Sequence, residues 1–484
     1  MKKTLPLIFE KSVEGRRTHY LSECETPVFE LPASMLRHEK LDLPEMAETD
    51  ITRHYTALES RTFGINDGFY PLGSCTMKYN PKINDKVASI SGFADIHPLQ
   101  GDDSTQGVLE ALHFAGELFA EITGMDHITF QPAAGAHGEL ASIMMFKKYF
   151  EDRGENDRKK VIVPDSAHGT NPATVHMCGM EVINLTSSSD GIVDLDALKE
   201  VVAANTGKIA GIMMTNPNTL GMFERDVLEI TKLIHAEGGL CYYDGANLNA
   251  IAGVVRPGDM GFDCVHLNLH KTFSTPHGGG GPGSGASGCK EFLRKYLPSP
   301  HIVKKENGHY ALIGDDTSIG QILAFYGNTL ISLRALAFVM AYGSDYTHLM
   351  SKNAVLNANY LKHRLAERFE IFNKGLCMHE FIITMEQEAK QHFTAKDMAK
   401  AILDEGMMSP TMYFPLIVKE ALMVEPTETE GKETLDLVAD TYIKIYDEVA
   451  KNPELATKFP LNAVISRPDE LEAARTPVIR YVRP

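Results

Sequence analysis

The sequence has little positive charge and no paired cysteines. Its 47 Lys and Arg residues against 64 Asp and Glu residues give a net charge of -17. That balance argues against a nucleic-acid-binding surface, because such a surface needs clustered basic residues. Its seven cysteines include no CxxC pair, so neither a metal site nor a disulfide framework is indicated. An odd number of scattered cysteines in a long chain is typical of the reducing cytoplasm.

The sequence also lacks a hydrophobic run of the kind that enters a membrane. The stretch LPLIF near the N-terminus is too short for a signal peptide. The most apolar long segment, residues 322–343, has Asn328 and Arg334 in its middle, which favours a buried helix over a membrane span. We therefore expect a soluble, cytoplasmic protein that contacts no membrane.

Short apolar runs alternate with helical patterns in the middle of the chain. Apolar residues at helical spacing predict a helix over 107–124 that ends at Gly124. Strands are predicted at HITF, KKVIVPD, MEVINL, KIAGIMMT, LCYYD and DCVHLNL, with helices between most of them. Such alternation is typical of βαβ units. The sequence therefore predicts an α/β fold with a mainly parallel sheet that is covered on both faces.

Changes of pattern divide the chain into three predicted parts. Residues 1–90 are rich in turn formers and charges and are predicted to form an N-terminal arm or extension. Residues 91–345 are predicted to form the large α/β domain. Residues 346–484 form a smaller α+β domain in this interpretation, with helices at 350–368, 394–406 and 433–452 and a strand at 378–385.

Several loops after the predicted strands are candidates for ligand binding, because open α/β sheets bind ligands at the carboxyl ends of their strands. The small residues of QPAAGAHGE (131–139) let backbone N–H groups approach an anion at a helix N-terminus, although an ordinary tight turn is an alternative. His168 could stack on a planar ligand or cap the next helix. Asn216 and Thr219 lie in TNPNTLG, where Asn216 also suits a turn.

Two charged residues at strand ends carry the most specific signal. Asp244 ends the apolar strand LCYYD, and a buried carboxylate needs a cation or a strong donor as its partner. Lys271 follows DCVHLNL and precedes a glycine run, Gly278–Gly281. A lysine desolvated there has a lowered pKa and becomes a nucleophile for Schiff-base chemistry. A lysine that extends to solvent from an edge strand, or an aspartate that caps its turn, are the structural alternatives.

The ordered set of loops matches one cofactor. An anion-binding loop, a planar stacking residue, a carboxylate for a ring nitrogen and a Schiff-base lysine occur in chain order. Pyridoxal 5′-phosphate needs these four partners for its phosphate, ring face, pyridine nitrogen and aldehyde. The order and spacing resemble the fold-type I pyridoxal-phosphate enzymes.

Longer motifs extend this resemblance. They are PLGSCTMKYNP, HPLQ, GAHGE, SAHGTNPAT, TNPNTLG, YYDGAN and HLNLHKTFSTPHGGGGPG, and they run from about residue 60 to past 350. Together they resemble the cofactor-bearing half of glycine decarboxylase, the P-protein family of the glycine cleavage system. The undivided family protein is longer, so a 484-residue chain with the lysine resembles subunit 2 of the split form.

The resemblance implies a role for each matching residue. Lys271 carries the cofactor beside His270, Asp244 pairs with the pyridine nitrogen, and His168 stacks on the ring. The other cofactor-binding positions that it implies are Gly135, Ala136, His137, Asn216, Thr219, Asn247 and Asn268. Because the family more often has Gln in place of His137, only the backbone of His137 is expected to bind the phosphate. Asn216 or Thr219 is expected to reach the phenolic oxygen.

The resemblance also implies a reaction and partners. Glycine loses carbon dioxide, and its aminomethyl group passes to the oxidised lipoyl arm of H-protein. The companion half, subunit 1, contributes to the active site, so an α2β2 heterotetramer is expected. The segment 71–78, with Gly73, Ser74, Cys75, Thr76 and Lys78, is expected to be a substrate-side loop, an interface loop or a buried arm segment.

Two other classes of function compete with this interpretation. An aminotransferase or cysteine desulfurase shares the fold type, and an aminotransferase needs an arginine for the substrate carboxylate, for which Arg475, Arg480 and Arg483 are candidates. The second competing class is a non-catalytic structural subunit. Lys271 and Asp244 argue against it, because a degenerate copy would be free to lose them.

Overall fold

The structure of the chain is a computed structural model that describes residues 4–16, 22, 24–39, 41–188, 190–278 and 283–480. Most of the predicted glycine loop Gly278–Gly281 and the candidate Arg483 lie outside the described residues. Two compact units are present. One comprises Met1–Asp67 with Pro460–Pro484, and the other is Gly68–Phe459. The predicted domain boundaries at residues 90 and 345 stay a prediction.

The main sheet of the unit Gly68–Phe459 has seven strands. They are β1 (His127–Thr129), β2 (Lys160–Pro164), β3 (Glu181–Leu185), β4 (Ile209–Thr215), β5 (Leu240–Asp244), β6 (Cys264–Asn268) and β7 (Gly285–Cys289). Their order in the sheet is β1-β7-β6-β5-β4-β2-β3. β7 pairs antiparallel with both β1 and β6, and the other neighbours pair parallel. The mainly parallel sheet was predicted, but β7 was not.

The helices that the structure describes alternate with these strands and continue beyond them. They are α1 (Glu48–Glu59), α2 (Lys82–Ala88), α3 (Ser91–Ala94), α4 (Gln106–Thr123), α5 (Gly135–Asp152), α6 (Thr170–Met177), α7 (Leu195–Ala204), α8 (Val227–Ala236), α9 (Thr329–Leu365), α10 (Glu386–Ala389), α11 (Ala395–Asp404), α12 (Lys432–Lys451), α13 (Leu455–Lys458) and α14 (Glu470–Arg475). α4 ends where the sequence predicts, because Gly124 has a φ of 68° and stops the helix in the left-handed region.

Both faces of the main sheet are buried, as the apolar strand sequences predict. Successive side chains of a strand point to opposite faces. Tyr242 of β5 accordingly packs in one apolar cluster with Phe146 and Met213. Its neighbour Tyr243 packs in another with Phe119 and Leu267. Because no face of these strands meets water, β4 and β5 lack the polar alternation of a half-exposed sheet.

A smaller antiparallel sheet follows. Its strands are β10 (Glu370–Ile371), β11 (Phe381–Thr384), β12 (Thr411–Met412) and β13 (Ala421–Val424), in the order β10-β11-β13-β12. A separate hairpin is formed by β8 (His301–Lys304) and β9 (Tyr310–Ile313). An apolar cluster joins β11 and β13 to α11 and α12. The predicted strand at 378–385 and the predicted helices at 394–406 and 433–452 lie in this part.

The apolar segment 322–343 differs from its predicted form. Its helix, α9, begins only at Thr329, because Gly327 has a φ of 68° and lies so close to Phe130 that an added Cβ would be 2.0 Å from the Phe130 carbonyl oxygen. α9 then continues to Leu365 and is interrupted at Gly343, which has a φ of 61°. Within the described residues, no helix is long and apolar enough to cross a membrane.

The close approach of β4 to β5 gives a prediction about stability. A Cβ added to Gly211 of β4 would be 2.2 Å from the carbonyl oxygen of Leu240 and 3.0 Å from the Phe146 ring. We expect Gly211→Ala to lower the free energy of unfolding by about 1–3 kcal/mol, the usual cost of overpacking a core. Urea unfolding followed by circular dichroism measures it.

Gly116 of α4 provides the matched control. An added Cβ there would have no described heavy atom closer than 4.0 Å. We expect Gly116→Ala to raise the free energy of unfolding by up to about 1 kcal/mol, because alanine is the better helix former. Equal effects of the two substitutions would contradict the packing argument.

Candidate active site

A cavity of about 310 Å³ opens at the carboxyl ends of β4, β5 and β6. The predicted site residues that line it are Gly135, Ala136, His168, Thr219, Asp244, Asn247, Asn268, His270 and Lys271. Nine of the eleven residues named from the sequence are therefore at one place. They come from loops that are far apart in the chain, and the sheet brings them together.

Lys271 lies in the turn that follows β6. Its backbone N–H donates to the carbonyl oxygen of Asn268 at 3.1 Å, which begins the turn directly at the strand end. Its side chain is half-buried and reaches the cavity. Among the described residues, the Nζ atom has no hydrogen-bond or ion-pair partner within the chain. The amine is therefore available for a ligand.

Asp244 is the last residue of β5 and is 2% exposed. The backbone N–H of Ala246 donates to its Oδ1 at 2.9 Å, and the amide of Asn171 donates to its Oδ2 at 3.1 Å. Burial alone would raise the pKa of this carboxyl group. His266, these two donors and Lys271 oppose burial and hold the pKa below its ordinary value. Asp244 is therefore a carboxylate at neutral pH.

His266 of β6 is the neighbour of Asp244 in the sheet and was not predicted. Its Nε2 lies 3.5 Å from Asp244 Oδ1 and 2.8 Å from Asn268 Oδ1, and its Nδ1 bonds the hydroxyl of Tyr242. Burial lowers the pKa of this ring, and the charge of Asp244 opposes that shift. The sequence does contain a signal that could have identified His266. The strands β5 and β6 both end in polar residues, and their register in the sheet places His266 beside Asp244.

His168 lines the cavity from the loop after β2, and its hydrogen bonds fix its tautomer. The backbone N–H of Thr170 donates to His168 Nδ1 at 3.2 Å. Burial lowers the pKa of the ring against the opposing charge of Asp244, so the ring is neutral. Because Nδ1 accepts, the proton of the neutral ring is on Nε2. The ring of Phe414 lies 5.6 Å away, centroid to centroid, at a tilt of 56°.

Glu139 is a cavity residue that the sequence interpretation missed. It lies in the second turn of α5, inside the motif GAHGE, and is 3% exposed. The hydroxyl of Thr170 donates to its Oε1 at 2.8 Å, and that of Thr174 donates to its Oε2 at 3.3 Å. Burial, together with the charge of Asp244, raises the pKa of Glu139 to about 8. Glu139 is therefore a neutral acid beside a charged one.

Replacing Glu139 by glutamine is expected to remove a pH dependence of stability. Because its folded pKa of about 8 exceeds the ordinary 4.5, folding takes up a proton between these pH values. The contribution is complete below the ordinary pKa and is lost as the pH rises through the folded pKa. Wild-type stability should fall across this window by up to about 1.4 kcal/mol per pH unit relative to Glu139→Gln.

Urea unfolding at several pH values across the window measures this difference. The exposed Glu200 of α7 provides the control, and Glu200→Gln should give a curve parallel to wild type. Parallel curves for wild type and Glu139→Gln would show that Glu139 does not hold a proton in the folded chain.

The start of α5 offers an anion-binding surface. The backbone N–H groups of Gly135, Ala136 and His137 lie in the first turn, where a helix leaves its N–H groups without intrahelical partners. A Cβ on Gly135 would be 2.4 Å from the amide nitrogen of Asn268, so only glycine fits there. Because Gly135 has no side chain, its backbone N–H is the group that can donate a hydrogen bond to an anion.

His270 and His277 lie together beside Lys271. Their ring centroids are 4.8 Å apart at an interplanar angle of 69°, and both rings line the cavity. Burial, with His277 and Lys271 adding to it, lowers the pKa of His270 to about 3. His270 is therefore neutral, and it contributes a polar ring but no charge to the cavity.

Two predicted residues do not line the cavity. The Asn216 side chain faces the protein interior, where its Oδ1 accepts from the backbone N–H of Glu224 at 3.0 Å and its Nδ2 contacts Met260 Sδ at 3.7 Å. The predicted contact of Asn216 with a ligand stays a prediction. The Nδ1 atom of His137 accepts a hydrogen bond from the backbone N–H of Ala133 at 3.2 Å. This bond does not use the backbone N–H of His137, whose binding to a phosphate stays a prediction.

Thr219 and Asn247 do line the cavity, but each also stabilises a loop. The hydroxyl of Thr219 donates to the carbonyl oxygen of Ser166 at 2.6 Å. The amide of Asn247 donates to the carbonyl oxygen of Pro217 at 2.9 Å, and its Oδ1 has no partner among the described residues. The buried hydroxyl of Thr215, also on the cavity wall, lacks a partner in the same set. These two orphaned atoms indicate that a polar ligand belongs here.

An aminotransferase needs an arginine on the cavity wall to bind the substrate carboxylate. No arginine of the described part of Gly68–Phe459 lines the cavity. Arg475 and Arg480 belong to the other compact unit.

The comparisons with known proteins agree with the motifs in the cavity. Residues 27–311 match the family model described as glycine cleavage system P-protein. Residues 350–468 match a second, described as glycine dehydrogenase, C-terminal domain. The chain belongs to the P-protein family. The family resemblance inferred from the motifs is thus confirmed.

Relatives in the P-protein family match over the full chain. A probable glycine dehydrogenase (decarboxylating) subunit 2 from Caldanaerobacter subterraneus subsp. tengcongensis is 50% identical over 100% of both chains. A protein of the same description from Treponema denticola is 51% identical over 98% of each chain. The chain is thus similar to these subunit 2 proteins over its full length.

Solved structures show the same fold. An inhibitor-bound crystal structure of glycine decarboxylase (P-protein) of the glycine cleavage system has a TM-score of 0.71 at 19% identity, covering 86% of this chain and 93% of that one. The apo structure of a cysteine desulfurase from Thermococcus onnurineus has a TM-score of 0.61 at 13% identity, covering 81% and 96%. These likenesses confirm the predicted fold-type I architecture.

Proposed function

We propose that this chain is the cofactor-bearing subunit of a two-subunit glycine decarboxylase, with its active site in the cavity described above. The observation that carries the proposal is the convergence of Lys271 and Asp244 at the ends of adjacent strands. Its P-protein relatives are described as decarboxylating glycine dehydrogenases. A purely structural subunit would not need a free amine and a buried carboxylate on one cavity wall.

The cavity residues fit pyridoxal 5′-phosphate. The N-terminus of α5, where a Cβ on Gly135 would collide with Asn268, suits its phosphate. The buried carboxylate of Asp244 suits a protonated ring nitrogen, and the orphaned polar atoms of Thr215 and Asn247 suit further polar contacts. When bound, the cofactor supplies an aldehyde for a lysine and a ring that withdraws electrons from the carbon whose bond breaks.

The chain's own residues then have definite tasks. Lys271 would hold the cofactor through its side-chain amine. Asp244 keeps a proton on the ring nitrogen, because its own pKa is held low and it stays a carboxylate. His168 packs its neutral ring against the cofactor and holds a proton on Nε2. His270 and His277 add bulk beside Lys271 without adding charge.

The charges around the cavity favour decarboxylation over amino transfer. A substrate carboxylate meets no guanidinium from the described part of this unit. An aminotransferase would instead retain that carboxylate and bind it.

We further propose that the chain works with subunit 1 in an α2β2 heterotetramer and with a lipoylated carrier protein. The words "subunit 2" in the descriptions of the relatives support a partner subunit. In the transfer step, the aminomethyl carbon bonds one sulfur of the lipoyl disulfide, and the other sulfur takes the electron pair and a proton. The lipoyl disulfide is therefore the oxidant. A cytoplasmic location stays a prediction.

Exchange of labelled bicarbonate into the carboxyl group of glycine tests the proposal. The wild-type chain is assayed alone, with the companion half, and with the companion half plus a lipoylated carrier. We expect exchange only when both halves are present and a marked increase with the carrier. A mixture that binds the cofactor but leaves glycine unlabelled would contradict the proposed substrate.

A further inference from the structure

The loop Ser74–Thr76 forms part of the cavity wall in a conformation that its residues do not favour. Ser74 and Cys75 line the cavity. Ser74 has a φ of 65° and Thr76 a φ of 46°, in the left-handed region that side chains other than glycine rarely adopt. Such strained backbone on both sides of Cys75 persists only where contacts with the surrounding structure hold it in place.

Two buried glutamates hold this loop. Glu380, just before β11, accepts the backbone N–H of Ser74 at 2.7 Å. Glu425, just after β13, accepts the backbone N–H of Thr76 at 2.9 Å. Both are 0% exposed. Because β11 and β13 pair with each other, the two carboxyl groups lie at the same end of the small sheet and fix both sides of Cys75.

The segment behind the loop has no space to move into. The backbone N–H of Gly73 donates to the carbonyl oxygen of Met423 at 3.3 Å, and Thr411 donates to the carbonyl oxygen of Gly73 at 3.0 Å. A Cβ on Gly73 would be 2.0 Å from Met423 Cγ. The loop therefore rests directly on β13 and β12 and cannot retreat from the cavity.

Cys75 and Lys271 both line the cavity. Burial raises the pKa of this thiol, and it outweighs the charge of Lys271, which lowers the pKa. The net pKa is raised, so the side chain is a neutral thiol and not a reactive thiolate. Its contribution to the cavity is therefore its volume and its fixed position.

We propose that the Ser74–Thr76 loop, held by Glu380 and Glu425, restricts the substrate to an amino acid without a side chain. The inference rests on the proposed function, because the substrate amine must reach the cofactor at Lys271 and so brings its α-carbon close to Cys75. A cavity of about 310 Å³ is at the small end of ligand pockets, and it must hold the cofactor as well. A substrate side chain would press on a wall that cannot yield.

Cys75→Ala tests the wall directly, with Cys75→Ser as the control of matched size. The two halves are assembled with cofactor, and L-alanine, D-alanine and glycine are titrated while the cofactor absorbance is followed. We expect the ratio of the alanine to the glycine dissociation constant to fall by about 10-fold or more in Cys75→Ala for one enantiomer. In Cys75→Ser the ratio should stay within about twofold of wild type.

The role of the glutamates is tested in the cofactor-free chain. Burial raises the pKa of Glu380 well above its ordinary value, so glutamine resembles its neutral form and keeps an acceptor oxygen. Alkylation of Cys75 by iodoacetamide, quantified on its peptide by mass spectrometry, should be about 10-fold faster in Glu380→Ala than in wild type, because loss of a buried hydrogen bond costs about 1–3 kcal/mol. Glu380→Gln should react at the wild-type rate.

The outcomes separate this inference from the proposed function. Absence of glycine exchange in the wild-type assembly would contradict the function. Exchange that persists while Cys75→Ala and wild type discriminate equally against both enantiomers of alanine would overturn the inference alone. Equal alkylation rates in Glu380→Ala and Glu380→Gln would show that the carboxyl group does not position the loop. If Glu380→Ala does not accumulate as folded protein, the comparison of Cys75→Ala with Cys75→Ser decides whether the loop restricts the substrate.

Discussion

Lys271→Ala, assembled with the companion half, is expected to lose glycine-dependent exchange of carbon dioxide by about 10³-fold or more. The reason is that Lys271 carries the amine that faces the cavity without a partner among the described residues. A second readout does not depend on activity. After borohydride reduction and digestion, the wild-type peptide with Lys271 should carry the mass of the reduced cofactor, and the variant should not.

Two control variants test whether the loss of activity comes from the missing amine nucleophile, from the missing positive charge or from a general effect of removing a lysine. Lys271→Arg keeps the positive charge but cannot form the covalent attachment, so it should be as inactive as the alanine variant. Lys199 of α7 is an exposed lysine paired with Asp196, and Lys199→Ala should exchange carbon dioxide like wild type. Substantial exchange by Lys271→Arg would mean that Lys271 contributes charge and not a nucleophile.

Asp244→Asn is expected to lower the exchange rate by about 10²–10³-fold. Asparagine keeps an acceptor for the N–H of Ala246 but removes the charge that faces the protonated ring nitrogen. Removing one partner of a buried charge pair costs about 3–5 kcal/mol, which is this range in a rate or affinity. Cofactor affinity, measured by titration of the cofactor-free chain, should fall together with the rate.

Asp263 provides a matched control for this charge. It is 6% exposed, accepts the backbone N–H of Cys241 at 2.7 Å, and lies at the amino end of β6, away from the cavity. Asp263→Asn should lower stability, because a buried partner of His235 is lost, yet leave the exchange rate of the folded chain unchanged. A comparable loss of rate in both variants would assign the effect to packing of the sheet and not to the site.

The local sequence pattern was enough to predict most of the main sheet. β4 and β5 are continuous apolar runs of the length of buried strands, and the helices between such strands have apolar residues at helical spacing. The pattern failed at β7, whose sequence GASGC has no β-branched or aromatic residue. The small side chains of β7 fit beside the start of α5, where a Cβ on Gly138 would be 2.9 Å from the Oγ atom of Ser287 in β7. Only the folded neighbours reveal this requirement.

The residues of the site also fall into those that the local sequence pattern predicted and those that it missed. Residues just after predicted strands, such as Asp244 and Lys271, were found because strand ends of a parallel sheet meet at one edge. Asn216 satisfied the same rule, but a local pattern does not tell which way a turn side chain faces. Glu380 and Glu425 were missed because they follow no strand of the main sheet. They reach the cavity wall only through hydrogen bonds to Ser74 and Thr76.

Those two hydrogen bonds also constrain the order of events during synthesis of the chain. They join residues that are 306 and 349 positions apart. The main sheet can pair once β7 has left the ribosome, and with it Asp244 and Lys271 are in place. The wall at Cys75 is finished only after β13 has emerged, 135 residues later by position (Cys289 to Val424). We therefore expect the nascent chain to pass through a stage in which the main-sheet residues of the cavity are in place but its wall at Cys75 is not.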